Sequence, residues 1–338
     1  MAIARRAGRR PVRSIAVLLF CAFVLFVVWF RSQPQSASGS QDIAFCPIAA
    51  GQGAAKALAP LRLVGAWQLT GDPALVTGLS GLDVLPDGRL IAVGDRGAQL
   101  VIVPPGLTGP GARAGHDVRS LDQLPGLPKE TDDTETVAVD PATGRFWTAM
   151  ETDNRVVLYA ADGSRQADID PAAMEQWPKN VGPEAMARLP DGRFLILGEM
   201  REKGTDRTFP VLLFPGDPLG GAEPEQAHLA MPGDYKPVGA AALPDGRVLV
   251  LGRDLRFPFS FFSLIALIDP RTIGPAALVR AEPVAAIRGG VLSDNYEGIA
   301  ATSGADGQLT VWLVSDDNQQ QILQSTKLLK LVADPADL

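Results

Sequence analysis

Residues 82–95, LDVLPDGRLIAVGD, carry the pattern that decides the fold. An apolar strand runs into a turn that ends at Gly88, and a second apolar strand follows and ends in an acid. An Asp-Gly pair between two apolar runs strongly indicates a β-hairpin, because glycine accepts the positive φ that the turn requires. The pattern recurs along the chain, and its turn glycines are Gly88, Gly144, Gly192, Gly246 and, in a looser copy, Gly307.

The spacing of these turns predicts the architecture. Successive turn glycines lie 48 to 61 residues apart. A repeat of about fifty residues with several strands in each is typical of a β-propeller, whose sheets stack around a common axis. We therefore predict an all-β protein, a β-propeller of five or six blades, in which a strand over residues 61–69 joins the last blade and closes the ring. A two-sheet sandwich with a chance repeat is the alternative.

Composition and charge exclude several classes of protein. The chain of 338 residues contains 35 Gly and 28 Pro, which argues against a helix bundle. Residues 32–338 contain 25 basic and 38 acidic residues, so we expect no nucleic-acid partner. Two cysteines and two histidines exclude a disulfide framework and most histidine-based zinc sites.

The N-terminus resembles an export signal. Five arginines, the last of them Arg13, precede an uncharged apolar run over residues 15–30. The segments predicted are a basic cytoplasmic tail (1–13), a hydrophobic helix acting as signal peptide or membrane anchor (14–31), a linker (32–60) and the propeller domain (61–338). Arginines before an apolar segment stay in the cytoplasm, so the domain is expected on the periplasmic or extracellular side. It is either anchored in the inner membrane or secreted after cleavage.

Acidic residues occupy matching positions in the repeats. Glu135, Glu184 and Glu297 each precede a turn glycine by eight to ten residues, at the start of the first strand. Other acids follow the second strand of a repeat, namely Asp95, Glu151, Glu199, Asp254 and Asp316. A hairpin brings its two outer ends together, so both sets should lie at one mouth of the central channel.

Carboxylates gathered at one mouth need a counter-charge. Two of them about 6 Å apart repel by roughly 3 kcal/mol at an effective dielectric constant of 20. Calcium is one candidate, because it takes six to eight oxygen ligands in irregular geometry. Its predicted ligands are Glu135, Glu184, Glu297, Asp95, Glu151, Glu199 and Asp316. The alternatives are solvation of separated carboxylates and a ring of ion pairs made by Arg96, Arg155, Arg201 and Arg253.

Four segments resemble a known family. Residues 294–300 (DNYEGIA) and 315–318 (SDDN) are similar to signatures of the bacterial "esterase-like activity of phytase" family, the phytase-like domain proteins. Residues 133–140 (DTETVAVD) and 181–187 (VGPEAMA) are similar to its other glutamate-bearing strand starts. The resemblance spans roughly residues 60–335 and implies an exported β-propeller. The fourth repeat departs from it, with Val238 and Gly239 where the others have Glu.

Two functions are compatible with these residues. The first is a monomeric calcium-dependent hydrolase of a small-molecule ester, lactone or phosphoester, with Glu135, Glu184 or Glu297 as the catalytic base. The second is a calcium-stabilised periplasmic binding or scaffold module. A serine esterase is disfavoured because a Gly-x-Ser-x-Gly elbow is absent and because His116 and His228 are predicted to be loop residues.

Overall fold

The computed structural model describes most of the chain. The described residues are 14–15, 17–23, 43–71, 78–94, 97–121, 134–179, 181–202, 204, 207–256, 260–304, 306–318 and 324–338. Near the N-terminus, residues 14–15 and 17–23 are helical and exposed. Over the described ranges, none of the helices combines the length and the apolar character that a membrane crossing requires. The predicted N-terminal hydrophobic helix is therefore not confirmed, and residues 24–30 of the apolar run lie outside the description.

Strands dominate the described residues. They are β1 (Ala44–Pro47), β2 (Arg62–Thr70), β3 (Leu79–Val84), β4 (Leu90–Gly94), β5 (Ala98–Ile102), β6 (Asp117–Ser120), β7 (Thr134–Val139), β8 (Phe146–Met150), β9 (Arg155–Tyr159), β10 (Arg165–Ile169), β11 (Pro183–Arg188), β12 (Phe194–Gly198), β13 (Thr208–Phe214), β14 (Glu225–Ala230), β15 (Lys236–Ala242), β16 (Val248–Arg256), β17 (Ser260–Ile268), β18 (Leu278–Arg280), β19 (Glu282–Arg288), β20 (Tyr296–Ser303), β21 (Leu309–Ser315) and β22 (Lys327–Ala333). Short helices are α1 (Gln52–Ala57), α2 (Pro110–Ala114) and 3-10 turns at Ala172–Met174, Pro218–Gly220, Pro270–Thr272 and Pro335–Asp337.

The strands form five sheets, each a blade. In spatial order from the channel outward these are β3-β4-β5-β6, β7-β8-β9-β10, β11-β12-β13-β14-β18, β15-β16-β17-β19 and β20-β21-β22-β2-β1. The five recurring turns join the first two strands of each blade, and each is closed by a hydrogen bond from the backbone N of its turn glycine, as in Gly192 N to Leu189 O at 2.9 Å. The propeller prediction is confirmed with five blades, and the two-sheet sandwich is wrong.

The ring closes through the first and last strands of the domain. The innermost strands β3, β7, β11, β15 and β20 each contact the next, and β20 contacts β3. In the fifth blade β2 pairs antiparallel with β22, from Arg62 opposite Val332 to Gln68 opposite Lys327. The predicted closing strand over residues 61–69 is therefore confirmed, and β1 adds a further strand outside it.

Every innermost strand carries a β-bulge near its start. In β11 the register passes from Pro183 opposite Gly198 to Ala185 opposite Leu197, so that Glu184 has no partner of its own. A bulge interrupts the alternation of a strand and redirects a side chain, here at the channel mouth. The corresponding residues of the five strands are Ser80, Glu135, Glu184, Val238 and Glu297.

Small residues after the bulges let the innermost strands approach closely. A Cβ atom on Gly239 would lie 2.5 Å from the carbonyl oxygen of Glu297, and one on Gly298 would lie 2.8 Å from Leu82 Cβ. Between the second and third blades, Met186 N donates a hydrogen bond to Thr136 Oγ1 at 3.0 Å. Through these contacts the backbone that follows a bulge packs against the neighbouring blade. The contacts hold the acidic bulge residues at the mouth.

Candidate metal centre

Three buried carboxylates meet at the mouth between the second and third blades. Glu184 lies at the bulge of β11, Glu151 directly follows β8, and Glu199 directly follows β12. One carboxylate oxygen of each lies within 4.8 Å of the other two, and the residues are only 6–8% exposed. No other group of three acids, histidines or cysteines comes this close within the described part of the chain. We call Glu151, Glu184 and Glu199 the carboxylate cluster.

Additional oxygen atoms border the cluster. Asn154 is 8% exposed and its Oδ1 has no hydrogen-bond partner among the described residues, while its Nδ2 donates to Trp177 O at 2.9 Å. A Cβ on Gly182 would lie 2.5 Å from Asn154 Oδ1 and 3.1 Å from the backbone oxygen of Glu151. Both oxygens therefore lie beside the backbone that leads into Glu184. Glycine at position 182 keeps this space open.

Two basic side chains contact the cluster from the fourth blade. Arg253 donates to Glu199 Oε1 at 2.9 Å and to Asn295 Oδ1 at 3.3 Å, and it also pairs with Glu297 Oε1. Lys236 Nζ donates to the same Glu199 oxygen at 3.1 Å. The guanidinium of Arg253 thus joins Glu199 of the third blade to Glu297 of the fifth.

These contacts give the acids opposite tendencies to ionise. Burial, reinforced by the charges of Glu199 and Glu151, raises the pKa of Glu184 well above its ordinary value, although Arg253 opposes the rise. Burial alone would also raise the pKa of Glu199, but Arg253 and Lys236 outweigh it and lower that pKa. The cluster therefore combines one firmly ionised carboxylate with one that readily holds a proton. A cation bound among them would take the place of that proton.

A second acidic network occupies the fifth blade. Asn295 is fully buried and its Nδ2 donates to Glu297 Oε1 at 3.0 Å and to Asp316 Oδ2 at 3.4 Å. The backbone is tied in as well, because Asp316 N donates to Asn295 O at 2.8 Å. Nearby, Lys327 Nζ lies 3.1 Å from Asp294 Oδ2. The segments 294–298 and 315–318 are therefore held together by hydrogen bonds.

The structure separates the residues that the sequence grouped together. Glu151, Glu184 and Glu199 lie in the carboxylate cluster, and Glu297 and Asp316 lie in the fifth-blade network. Glu135, at the bulge of β7, is half-buried and is not in the cluster. Asp95 and Arg96 lie outside the described residues.

The predicted arginines also divide. Only Arg253 among those described reaches the acidic mouth. Arg155 pairs with Asp168 at 2.7 Å, and Arg201 lies 3.8 Å from Asp234. Two further features were not predicted from the sequence. Lys236 contacts the cluster, and His228 lies on β14 and not in a loop.

Fold and site together define an all-β, five-bladed propeller with a buried carboxylate cluster at one mouth of its channel. A family model described as "Phytase-like: Esterase-like activity of phytase" matches residues 74–319. The chain therefore belongs to this phytase-like family. No curated protein matches the chain.

Several solved structures are similar to the chain at low identity. Hydrazine synthase of Kuenenia stuttgartiensis is 14% identical with a TM-score of 0.37; the match covers 72% of this chain and 57% of that one, so this chain spans little more than half of its length. A chain of the nidogen/laminin complex is 10% identical over 85% of this chain and 93% of its own, with a TM-score of 0.43. A luciferin-regenerating enzyme is 11% identical over 75% and 91%, with a TM-score of 0.42.

Proposed function

We propose that this protein is a calcium-dependent hydrolase of a small-molecule ester, lactone or phosphoester that acts at the acidic mouth. The observation that carries the proposal is the buried carboxylate cluster beside Asn154 Oδ1, which accepts no hydrogen bond from any residue that the structure describes. Its donors are all oxygen atoms, which suit a hard cation such as calcium better than zinc or copper. Three buried carboxylates this close also cost stability unless a proton or a cation compensates them.

The residues present fit such an ion. Glu151, Glu184, Glu199 and Asn154 would hold it, with the backbone oxygen of Glu151 as a further donor. When bound, calcium supplies a Lewis acid that polarises a carbonyl or phosphoryl oxygen of the substrate. Arg253 and Lys236 orient the Glu199 carboxylate, so the cluster is fixed before a substrate arrives.

The proposed reaction also needs a residue for proton transfer that is not one of the proposed metal ligands. Glu297 is engaged by Arg253 and Asn295, which leaves it poorly placed to accept a further proton. Glu135 occupies on β7 the same bulge position that Glu184 occupies on β11. Because of this matching position, we assign Glu135 as the general base that takes a proton from the attacking water.

We place this activity on the periplasmic or extracellular side of the cell. The support is the sequence of residues 1–31, in which arginines precede an apolar run. In this proposal the segment either anchors the propeller in the inner membrane or is removed after export.

The second candidate is a binding or scaffold module that calcium stabilises without catalysis. The observation that favours it is the fifth-blade network, in which Glu297, Asn295 and Asp316 are already joined by hydrogen bonds. In that case the cation would only strengthen the contact between the second and third blades.

One experiment separates the two. Full-length protein in mild detergent is treated with a chelator, and calcium uptake, melting temperature and hydrolysis of p-nitrophenyl butyrate, p-nitrophenyl phosphate and γ-butyrolactone are measured. The hydrolase proposal expects uptake of calcium and calcium-dependent turnover. Glu184→Gln should lose both, whereas Glu135→Gln should bind calcium but turn over no substrate. Asp254→Asn is the matched control, because Asp254 is as buried as the cluster acids but pairs with Arg256 at 2.8 Å.

The other possible outcomes contradict the hydrolase proposal in different ways. Calcium-dependent melting without turnover of any substrate supports the binding module. If calcium leaves the melting temperature unchanged and calorimetry detects no calcium uptake, neither candidate function involves calcium.

A further inference from the structure

A second constellation of polar side chains lies on the outer strands of the third blade. His228 Nδ1 is 2.7 Å from Glu202 Oε2, and Thr208 Oγ1 donates to the same oxygen at 2.8 Å. The backbone supports the arrangement, since Glu202 N donates to Thr208 O at 3.0 Å. Thr208 donates to this oxygen and a carboxylate oxygen accepts hydrogen bonds, so we assign His228 Nδ1 as a second donor to it. In the neutral imidazole with this tautomer, Nε2 is the hydrogen-bond acceptor.

A cavity adjoins this histidine. Its volume is about 580 Å³, within the range of small-molecule sites. The side chain of His228 is 38% exposed and lines the cavity together with Glu202. The walls are largely apolar, and they include Trp177, Met200, Pro210, Pro224 and Pro275.

The charges of the cavity select among ligands. Glu202 and Glu225 line it, and none of its described lining residues is Lys or Arg. An anionic ligand would therefore be repelled without compensation. A flat apolar ring suits walls formed by proline and tryptophan, and a single hydroxyl group suits the single acceptor at Nε2.

We propose that this cavity is a binding site for a small uncharged aromatic alcohol of the phenol class. The ring packs against the proline and tryptophan walls, and the hydroxyl group donates a hydrogen bond to His228 Nε2. Glu202 and Thr208 act as positioning residues, because they fix the tautomer and the orientation of the imidazole. The site shares none of its residues with the carboxylate cluster and does not depend on the proposed hydrolase activity.

The chain contains two histidines, so the imidazole resonances of both can be followed in one experiment. Full-length ¹⁵N-labelled protein is titrated with p-cresol while the imidazole nitrogen resonances are recorded. His116 Nδ1 accepts a hydrogen bond from Val103 N at 3.0 Å, so its proton is on Nε2 and the two rings carry opposite tautomers. The proposal expects a saturable change at His228 Nε2 and no change at His116, which serves as the internal control.

Variants test the positioning residues. Glu202→Gln should weaken p-cresol binding by roughly tenfold and release the His228 tautomer, because the charged acceptor is lost. Glu223→Gln, at an exposed position outside the lining of the cavity, should bind p-cresol as the unsubstituted protein does. Backbone amide spectra establish that each variant is folded.

Three results would overturn the proposal. The first is the absence of any saturable shift at His228 with millimolar p-cresol. The second is equal binding by Glu202→Gln. The third is a preference for benzylamine over p-cresol, which would mean that the two glutamates recognise a cation and that Nε2 is not the recognition element.

Discussion

Arg253 is the residue on which the electrostatics of the mouth depend. It provides a positive charge to Glu199 and Glu297 at once. Burial opposes its charge, but the charges of Glu199 and Glu184 outweigh burial and raise the pKa of Arg253. In the fourth blade Val238 stands at the bulge where the second, third and fifth blades have Glu. The fourth blade therefore contributes no acid at its bulge, but it contributes the neutralising cation from its second strand.

Removal of this cation should be costly. Arg253→Leu removes the guanidinium from two mouth carboxylates, so that Glu199 keeps Lys236 and Glu297 keeps the neutral amide of Asn295. We expect a loss of about 3–5 kcal/mol in the free energy of unfolding. Arg253→Lys keeps the charge but cannot bridge both acids, so its loss should be intermediate. Urea unfolding measures both.

A surface arginine provides the control for this prediction. Arg271→Leu breaks the exposed pair with Asp269 at 2.8 Å and should leave the unfolding midpoint unchanged. Equal effects of Arg253→Leu and Arg271→Leu would contradict the bridging role of Arg253.

Glu184 predicts a specific dependence of stability on pH. Its pKa is raised in the folded protein, so the folded state keeps a proton that the unfolded chain has already lost. Stability should therefore fall as the pH rises from the ordinary glutamate value through the raised one. Melting curves in chelator, from acidic to neutral pH, should show this fall in the unsubstituted protein and a flatter profile in Glu184→Gln. The same slope in both proteins would refute the assignment.

At the residue scale the sequence indicated that Glu151, Glu184 and Glu199 lie at the ends of their strands, but it did not predict that these three form one cluster. The position of Glu184, Glu151 and Glu199 relative to the turn of each repeat follows from the hairpin and can be read from the sequence. Their approach across two blades depends on the angle between neighbouring sheets, which no local pattern encodes. The pairing of His228 with Glu202 was not predicted for a related reason. The two residues are 26 positions apart, and no recognisable sequence motif links them.

At the scale of the strand, the bulge and the small residue after it act together. The bulge turns a side chain toward the mouth, and the following residue lets the next blade approach. Gly239→Ala should cost about 1–3 kcal/mol, because the added methyl group would meet the carbonyl oxygen of Glu297 at 2.5 Å. It should also shift the Glu297 carboxylate away from Arg253.

The matched control is another glycine with free space around it. Gly216→Ala introduces a methyl group with nothing within 4 Å and should leave the melting temperature unchanged. If Gly239→Ala melts like Gly216→Ala, the close approach of the fourth and fifth blades is not required for stability.

Hairpins were the elements that the sequence predicted best. Each Asp-Gly turn forms its own local hydrogen bonds, so flanking apolar runs suffice to identify it. The short strand β18 was not predicted, because it leaves the fourth blade to pair in parallel with β14 of the third, with Val279 opposite Leu229. Such pairing over a long sequence separation has no local signal.

At the scale of the whole molecule, closure by β2 is the feature most open to test. Deletion of residues 1–71 removes both β1 and β2 and uncovers the edge of β22, whose Leu328, Leu329 and Leu331 are fully buried. We expect a lower melting temperature and association in size-exclusion chromatography, because the exposed strand edge and apolar surface become available to other molecules. Deletion of residues 1–42 alone, which keeps both strands, should melt as the full-length protein does. Identical melting of the two truncations would contradict closure by β2.

The fifth blade unites the earliest and the latest strands that a ribosome makes for this domain. Arg62–Thr70 is synthesised before the first four blades, and its pairing partner Lys327–Ala333 is synthesised after them. The nascent polypeptide therefore cannot close its ring until all five blades have been made. A circular permutant whose new termini fall between two blades would bring these strands close together in the sequence, and it would complete the fifth blade before the remaining blades are made.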